Sequence, residues 1–590
     1  MNEYSREKIK LRMLRRIASL WDISDVEHVD PVVKLLIEAM AEELFMLAGE
    51  VSDLDDRMMA KLSVSMTPVT CLTARPAHAI LSAMPTDTTV RIDSDTVFEY
   101  KESRLLRRYN LNSIFFTPVA PFELIRAKVN LLSIGNRLYK CDRECRKSLV
   151  ALAEKDDEYF RNTLWIGLEL SPDITDKHNL CFYFDFAGVE DAGKYLRLLP
   201  YTRWTIDGRE PEFTQGLDKE AQDEELRSLY DLHYITLQDV VTDSWKKYPD
   251  EWEPYYSREA LAGCSTPLLW MKVVFPDSIP GDMLDYLKVG INMFPVANIS
   301  KRTMTRKMTD VSMFMPLHAG KNEHFVRIDS VKDSSDKVYE PLSRDAGGAT
   351  AVKGIYSLRR GGVETYSHTN DSKSAILRLV DIITDRHMFS HNKTEAELEQ
   401  MVDKVLVLTD RISNMVNSLN GETDSKSYIV VDRSNPGETL IADYWVTNGE
   451  VINNFKPIVP LYATGHSSAL EESIYFLTPV RGGSAPPSID RVKDLHRYML
   501  TSHDRIFTKH DIVNFCKAEY GCVVEEVEVK SGVAIGLKPR QGVVRTIDVY
   551  IKRAPAGSSA LSGEELKKGL MCKLEARSPD SFNYRIFITN

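Results

Sequence analysis

Cysteines, histidines and paired carboxylates are the residues through which this chain could do metal or nucleophilic chemistry, and their spacing decides whether it does. Cys141 and Cys145 lie four apart, as do His387 and His391. A zinc site takes four ligands, usually as two such pairs, each ligand oriented by a hydrogen bond behind it. Neither pair has a second pair at a recognised spacing, so the cysteines read as ordinary thiols and the histidines as exposed imidazoles in a polar loop. Acidic neighbours such as Asp156 and Asp157 are too common in this chain to mark a glycosidase pair. No glycine-rich loop ends in Lys-Ser or Lys-Thr before a helix, and no Gly-x-Ser-x-Gly elbow occurs, which removes phosphate-loop chemistry and one common hydrolase signature. No catalytic residue, metal or cofactor is expected. The densest unusual pattern is aromatic: Trp245, Tyr248, Trp252, Tyr255 and Tyr256. If exposed, Trp245, Trp252 and Tyr255 would form a platform for sugar or protein; folded inward, the run is a loop clamp.

The elements that must carry these residues change character along the chain. A first helix is expected over Ser5 to Leu20, with Ile9, Met13, Ile17 and Leu20 on one face. Asp30 then offers an N-cap and Pro31 a first helical residue. From there Val33, Ile37, Met40, Leu44, Leu47, Val51, Leu54 and Met58 step by alternating fours and threes, a 3.5-residue period held for more than three heptads. A helix of that length spans about 40 Å and has a narrow apolar seam that needs partner helices or the chain's own β domains to cover it. After Pro68 short apolar runs separated by turn residues take over. Ala79–Ala83, Thr89–Ile92, Leu164–Leu170, Leu180–Phe186, Leu268–Phe275 and Val289–Phe294 read as strands. Asp218–Asp239 is ambiguous between helix and loop, Ser334–Asp336 and Asp345–Gly348 read as turns, and Thr394–Leu419 reads as a helix.

The last hundred residues carry the clearest local signals. Thr508-Lys509-His510-Asp511 is a capping box, followed by the apolar Ile512, Val513, Phe515 and Cys516. A hairpin is expected from Val527–Val529 to Val533–Leu537 around Lys530-Ser531-Gly532, then a strand over Ile547–Ile551. Ser562 to Glu565 opens a helix bearing Leu566, Leu570 and Leu574, and Phe582, Tyr584, Ile586 and Ile588 make a final strand. Helix, three strands, helix and strand make a two-layer α/β domain.

At 590 residues the chain exceeds what one core can organise, and a prior of about 150 residues per domain gives roughly four units. The expected class is a mainly β, multidomain α+β protein. Its parts are an N-terminal helical segment over 1–67, a β-rich, sandwich-like domain over 68–300, a second β-rich domain over 301–487, and an α/β domain over 488–590. A net charge of -11 argues against nucleic acid or anionic lipid as the main partner. The polar N-terminus and the lack of an apolar run of about 18 residues argue against secretion and membrane insertion. Scattered cysteines fit a reducing, cytoplasmic compartment.

Several segments also resemble the TssF subunits of type VI secretion baseplates, relatives of the wedge proteins of contractile phage tails. They are Asp30-Pro31-Val32-Val33-Lys34-Leu35-Leu36-Ile37-Glu38, Arg75-Pro76-Ala77-His78, Gly290-Ile291-Asn292-Met293-Phe294-Pro295-Val296-Ala297-Asn298 and Thr447-Asn448, then Thr478 to Gly483 and Asp504 to Ile512, in the family's order. Turn chemistry is the expected physical role of Pro295, Asn298 and Asn448. The short first helix and the missing basic residues after Thr447-Asn448 depart from the commoner pattern and mark a divergent branch. The resemblance implies a non-enzymatic subunit, two copies of which join one TssG-like subunit in a wedge. Six wedges would ring the spike, anchor and trigger the contractile sheath, and meet TssK-, TssE- and VgrG-like subunits on the cytoplasmic side of the membrane. A cytoplasmic β-rich hydrolase or carbohydrate-active enzyme, or an adhesin-like binding module, are the alternatives from other classes.

Overall fold

The computed structural model describes residues 6–20, 30–45, 47, 354–360 and 427–432 and, with short interruptions, 73–341 and 438–589. The chain forms two compact units. Met1–Cys71, Phe314–Leu317 and Tyr356–Asp432 make one; Leu72–Met313, His318–Ile355 and Arg433–Asn590 make the other. Stretches distant in sequence share a unit, a division that no linear set of boundaries expresses.

In the first unit, helix α1 spans Arg6–Leu20 and helix α2 spans residues 31–45. The start of α2 follows from its sequence: Asp30 Oδ1 accepts the amide of Val32 at 2.7 Å and its carbonyl accepts that of Lys34 at 3.0 Å, so the orphan donors of the first turn are satisfied. On α1, Ile9 and Leu14 are buried, whereas Leu20, expected on the same face as Ile9, is exposed. Lys10 reaches Glu38 at 2.9 Å and ties α1 to α2. Strands Phe314–Leu317 and Ser427–Asp432 pair antiparallel, with Met315, Leu317, Ile429 and Val431 alternating inward. The helix expected over Thr394–Leu419 and the turn at Asp345–Gly348 lie outside the described residues.

The second unit is mainly β. One sheet runs in the order Arg203–Thr205, Leu269–Val274, Thr163–Leu170, Ala127–Ile134, Arg137–Cys141 and Lys147–Leu152. A four-stranded sheet runs Phe213–Gln215, Tyr234–Asp239, His178–Phe186 and Leu287–Ile291. Leu132, Leu164, Ile166 and Met271 of the first share one core with Phe182, Phe184, Ile235 and Val289 of the second, which makes the pair a sandwich. A third sheet runs Tyr462–Thr464, Val97–Tyr100, Ile114–Pro118, Met293–Ala297, His78–Ser82 and Tyr475–Phe476 over a separate core containing Phe98, Phe116, Phe294 and Phe476. A fourth pairs Thr439–Thr447 between Ser300–Lys307 and His324–Asp333. The stretch ambiguous in sequence resolves into helix α3, Glu224–Asp231, and the strand Tyr234–Asp239. The Asp223 side chain caps α3 by accepting the amide of Leu226 at 3.1 Å.

The C-terminal part has helices α4 (Ile489–Ser502), α5 (Lys509–Tyr520) and α6 (Gly563–Arg577) beside a three-stranded sheet of Val524–Ile535, Val543–Arg553 and Tyr584–Thr589. Both halves of the capping box form, Thr508 accepting the Asp511 amide and Asp511 accepting that of Thr508. Leu566, Leu570 and Leu574 are buried, as their spacing requires. Helix α4 has no counterpart in the sequence reading. The hairpin expected around Lys530-Ser531-Gly532 is corrected: Val524–Ile535 is one continuous strand paired with Val543–Arg553, so two strands, not three, lie between α5 and α6. Gly532 serves a packing role. A side chain there would overlap the carboxylate of Asp548 and the guanidinium of Arg585, a pair on the sheet whose carboxylate is buried, with Nε to Oδ1 at 2.8 Å. Gly532→Ala is therefore expected to lower stability by about 1–3 kcal/mol through overpacking, read from the denaturant midpoint, while exposed Ser531→Ala leaves it within about 0.5 kcal/mol.

Candidate functional site

Trp252 settles the aromatic run. It is fully buried between Trp165, Trp270 and Tyr256, with ring centroids at 5.9, 4.8 and 5.3 Å. Gly167 makes this possible, because a β-carbon there would press on Trp270 and Leu268 at 2.9 Å. The loop is pinned by paired backbone bonds between Lys246 and Leu268 and by the Trp270 indole donating to the Lys246 carbonyl at 3.0 Å. Tyr255 packs partly buried against the cluster and only Trp245 is exposed. Trp245, Trp252 and Tyr255 therefore do not share an exposed face. The run clamps a loop onto the outer side of the sheet that holds Thr163–Leu170 and Leu269–Val274.

Cys141 and Cys145 are buried free thiols that belong to different cores, and burial pushes each up to about 12. Cys145 Sγ donates to the Val289 carbonyl at 3.3 Å and touches Met293 Sδ at 3.7 Å. A thiol so placed is a weak nucleophile. Among the described residues no three His, Cys, Asp or Glu side chains gather as a metal would need. His387 and His391 lie outside the described residues, as do Asp156 and Asp157. The hollow lined by Cys145, Met84, Asn292 and Tyr475 has ≈ 30 Å³, about one water's share of the liquid.

Four of the segments that carry the family resemblance, Arg75–His78, Gly290–Asn298, Thr447-Asn448 and Thr478–Gly483, come together in space. Asn292, at φ 60°, is the corner where the chain leaves the sandwich strand Leu287–Ile291 and enters Met293–Ala297 of the neighbouring sheet. Its side chain accepts from the Ile125 amide at 2.9 Å and donates to the carbonyls of Ile125 and Ala127 at 2.7 and 3.1 Å. Six residues on, Asn298 Oδ1 accepts from the Thr447 hydroxyl at 3.1 Å and the Asn448 amide at 2.9 Å, and Nδ2 donates to the Phe115 carbonyl at 2.8 Å. Asn298 and Asn448 are thus buried clamps between sheets. Pro295 sits inside a strand opposite Ile80 and is not in a turn. Gly482 and Gly483 likewise leave space, one for the His78 ring and the other for the Gly449 carbonyl. His78 is itself hydrogen-bonded to the Tyr230 hydroxyl at 2.6 Å and pushed down to about 4 by burial.

Helix α2 presents the remaining candidate. Of the heptad positions, Ile37 is buried and Val33 partly buried, while Met40, Leu44 and Leu47 are 53, 42 and 58% exposed; Val51, Leu54 and Met58 lie outside the described residues. The seam is therefore split. Ile37 and Ala41, one turn apart, make the packed side. Val32 and Leu36, which the heptad reading left out, are 69 and 57% exposed and continue Met40, Leu44 and Leu47 as one row at spacings of four, four, four and three. Leu35 is exposed on its flank, and Phe45, also exposed, follows Ile37 and Ala41 at the same four-residue spacing. The four-residue spacing was visible in the sequence, but which side packs depends on tertiary contacts.

No protein-family model and no curated protein matches this sequence. Among solved structures, the chain is similar to one in the type VI secretion system TssK-TssF-TssG baseplate subcomplex, with 13% identity and a TM-score of 0.48 over 94% of this chain and 96% of that one. It is also similar to a chain of a type VI secretion baseplate complex, with 12% identity and a TM-score of 0.34 over 99% and 96%. No helix of the described residues is long and apolar enough to cross a membrane.

Asn298→Ala would leave the Thr447 hydroxyl, the Asn448 amide and the Phe115 carbonyl without their partner. At about 1–3 kcal/mol per buried group stranded, the loss is expected to reach about 3 kcal/mol or more. Asn298→Asp keeps the acceptor but turns a carboxylate oxygen toward the Phe115 carbonyl and Asn448 Oδ1 in a buried site, so it should lose at least as much, as chemical denaturation would measure.

Proposed function

We propose that this chain is a TssF-like structural subunit of a type VI secretion baseplate and that α2 docks it to its partners. The observation that carries this reading is the exposed row of Val32, Leu36, Met40, Leu44 and Leu47 on a helix whose adjoining side is already packed through Ile37 and Ala41. A soluble chain rarely leaves such a contiguous apolar row in water; rows of this kind are protein interfaces. The spacing suits a bundle in which partner helices insert between successive turns. The ordered resemblance from Asp30 to Ile512 supports the choice of assembly. In this reading two copies bind one TssG-like subunit, and six such wedges close a ring in the cytoplasm around a VgrG-like spike, with TssK- and TssE-like neighbours. The C-terminal α/β part, from about residue 488, would bridge wedges. Work is then done by geometry: interfaces hold the ring, and a change of packing releases the sheath.

Leu47→Asp and Leu44→Asp place a carboxylate where helices would meet, and it must be desolvated or protonated on binding. The expected cost is about 2–4 kcal/mol, a thirty- to thousandfold loss of affinity for the smaller wedge subunit. Co-purification and native mass measurement would read it, with circular dichroism as the control. Unchanged wedge formation with intact fold would place the interface elsewhere; loss of β structure would make the row an internal packing element.

A further inference from the structure

The C-terminal helices meet the β sheets of the second unit through charge. Arg75, just before the first strand, is paired with Glu519 of α5. Glu519 is also paired with Lys573 of α6, and Lys573 reaches Glu225 of α3 at 2.7 Å. Arg197 grips Glu575 of α6 with both arms at 2.6 and 2.7 Å. Ser228, one turn along α3 from Glu225, touches Cys572 Sγ at 3.5 Å. Glu519 and Lys573 keep only 7 and 15% of their side-chain surface. The two cations hold Glu519 well below the ordinary glutamate range despite its burial.

Apolar packing follows a different division. The described hydrophobic clusters of the β sheets contain no residue beyond Val480. The C-terminal part buries Ile512, Phe515, Cys516, Val549, Ile551, Leu566, Leu570, Leu574 and Ile586 on its own helices and strands. The two are joined through Ala485-Pro486-Pro487, directly after Ser484, which is tethered to Arg75 by two backbone bonds at 3.1 Å.

We propose that the C-terminal α/β part is a releasable module, held in one docked pose by this charge cluster and able to leave the β sheets with its own core intact. The polarity of the links alternates across the contact: cation to anion at Arg75 and Glu519, anion to cation at Glu225 and Lys573, cation to anion at Arg197 and Glu575. Such a pattern fits one register and rejects shifted ones. It is also cheap to open. Desolvation offsets most of the attraction in a buried ion pair, and on separation every partner regains water. Polar contacts between domains of one chain are those that move.

Two cysteines report the opening in the full-length protein. Cys572 lies in the contact, half-buried, whereas Cys516 is fully buried inside the module. Alkylation of each is followed by peptide mass spectrometry at low and at about 1 M salt, where the screening length shrinks to about 3 Å. High salt is expected to speed Cys572 alkylation severalfold while Cys516 stays protected. Arg197→Glu and Glu575→Arg should each speed it by about tenfold, and the double exchange should restore the slow rate. Equal acceleration of both cysteines would mean that the module unfolds and does not undock. A Cys572 rate indifferent to salt and to the reversed pair would mean that charge does not hold the contact. Either result overturns the proposal; the salt arm needs no variant to fold.

Discussion

A chain that passes from one sheet to another must turn through a region where no ladder can satisfy its amides and carbonyls, and an unpaired backbone group in a core costs as much as a lost hydrogen bond. Here that crossing is made once at Asn292 and again, six residues on, at Asn298. One side chain supplies an acceptor and two donors to the strand ends at Ile125 and Ala127; the other closes Thr447, Asn448 and Phe115 around itself. Both cores of the β sheets depend on this arrangement, because it sets where the strand Met293–Ala297 enters its sheet and how that sheet meets the sandwich.

Charge has a different job. The ion pairs whose carboxylates are buried, Asp548 with Arg585 and Glu519 with Arg75 and Lys573, contribute little net stability beyond what their desolvation costs, yet each fixes a geometry. The first requires a glycine at 532 and so pins the register of the C-terminal sheet. The second orients one folded part upon another. An assembly subunit gains from this separation: hydrophobic cores hold each part rigid, while a polar contact sets their relative pose without a large apolar surface to expose when it opens.

The exposed row on α2 completes the same logic from outside. Helices of this kind bury an apolar stripe against their own chain, and the second stripe is what a partner can cover. Lys10 and Glu38 tie α1 to α2 on the packed side, leaving Val32, Leu36, Met40, Leu44 and Leu47 clear.

Sequence alone determined what rests on neighbours within a few residues. The caps at Asp30 and Thr508, the strands with β-branched and aromatic runs, and the buried face of Leu566, Leu570 and Leu574 were all legible because a cap or a periodicity is complete within one or two turns. Glycine and proline were misread because local grammar gives them to turns, and asparagine was read for its turn alone. Gly532 and Pro295 sit in strands, and Asn298 is a clamp between segments 150 residues apart. Only the tertiary structure decided whether Trp252 would be a platform or a clamp and which stripe of α2 would stay in water. Those outcomes depend on which distant surfaces arrive to exclude solvent, and no spacing along one segment encodes that.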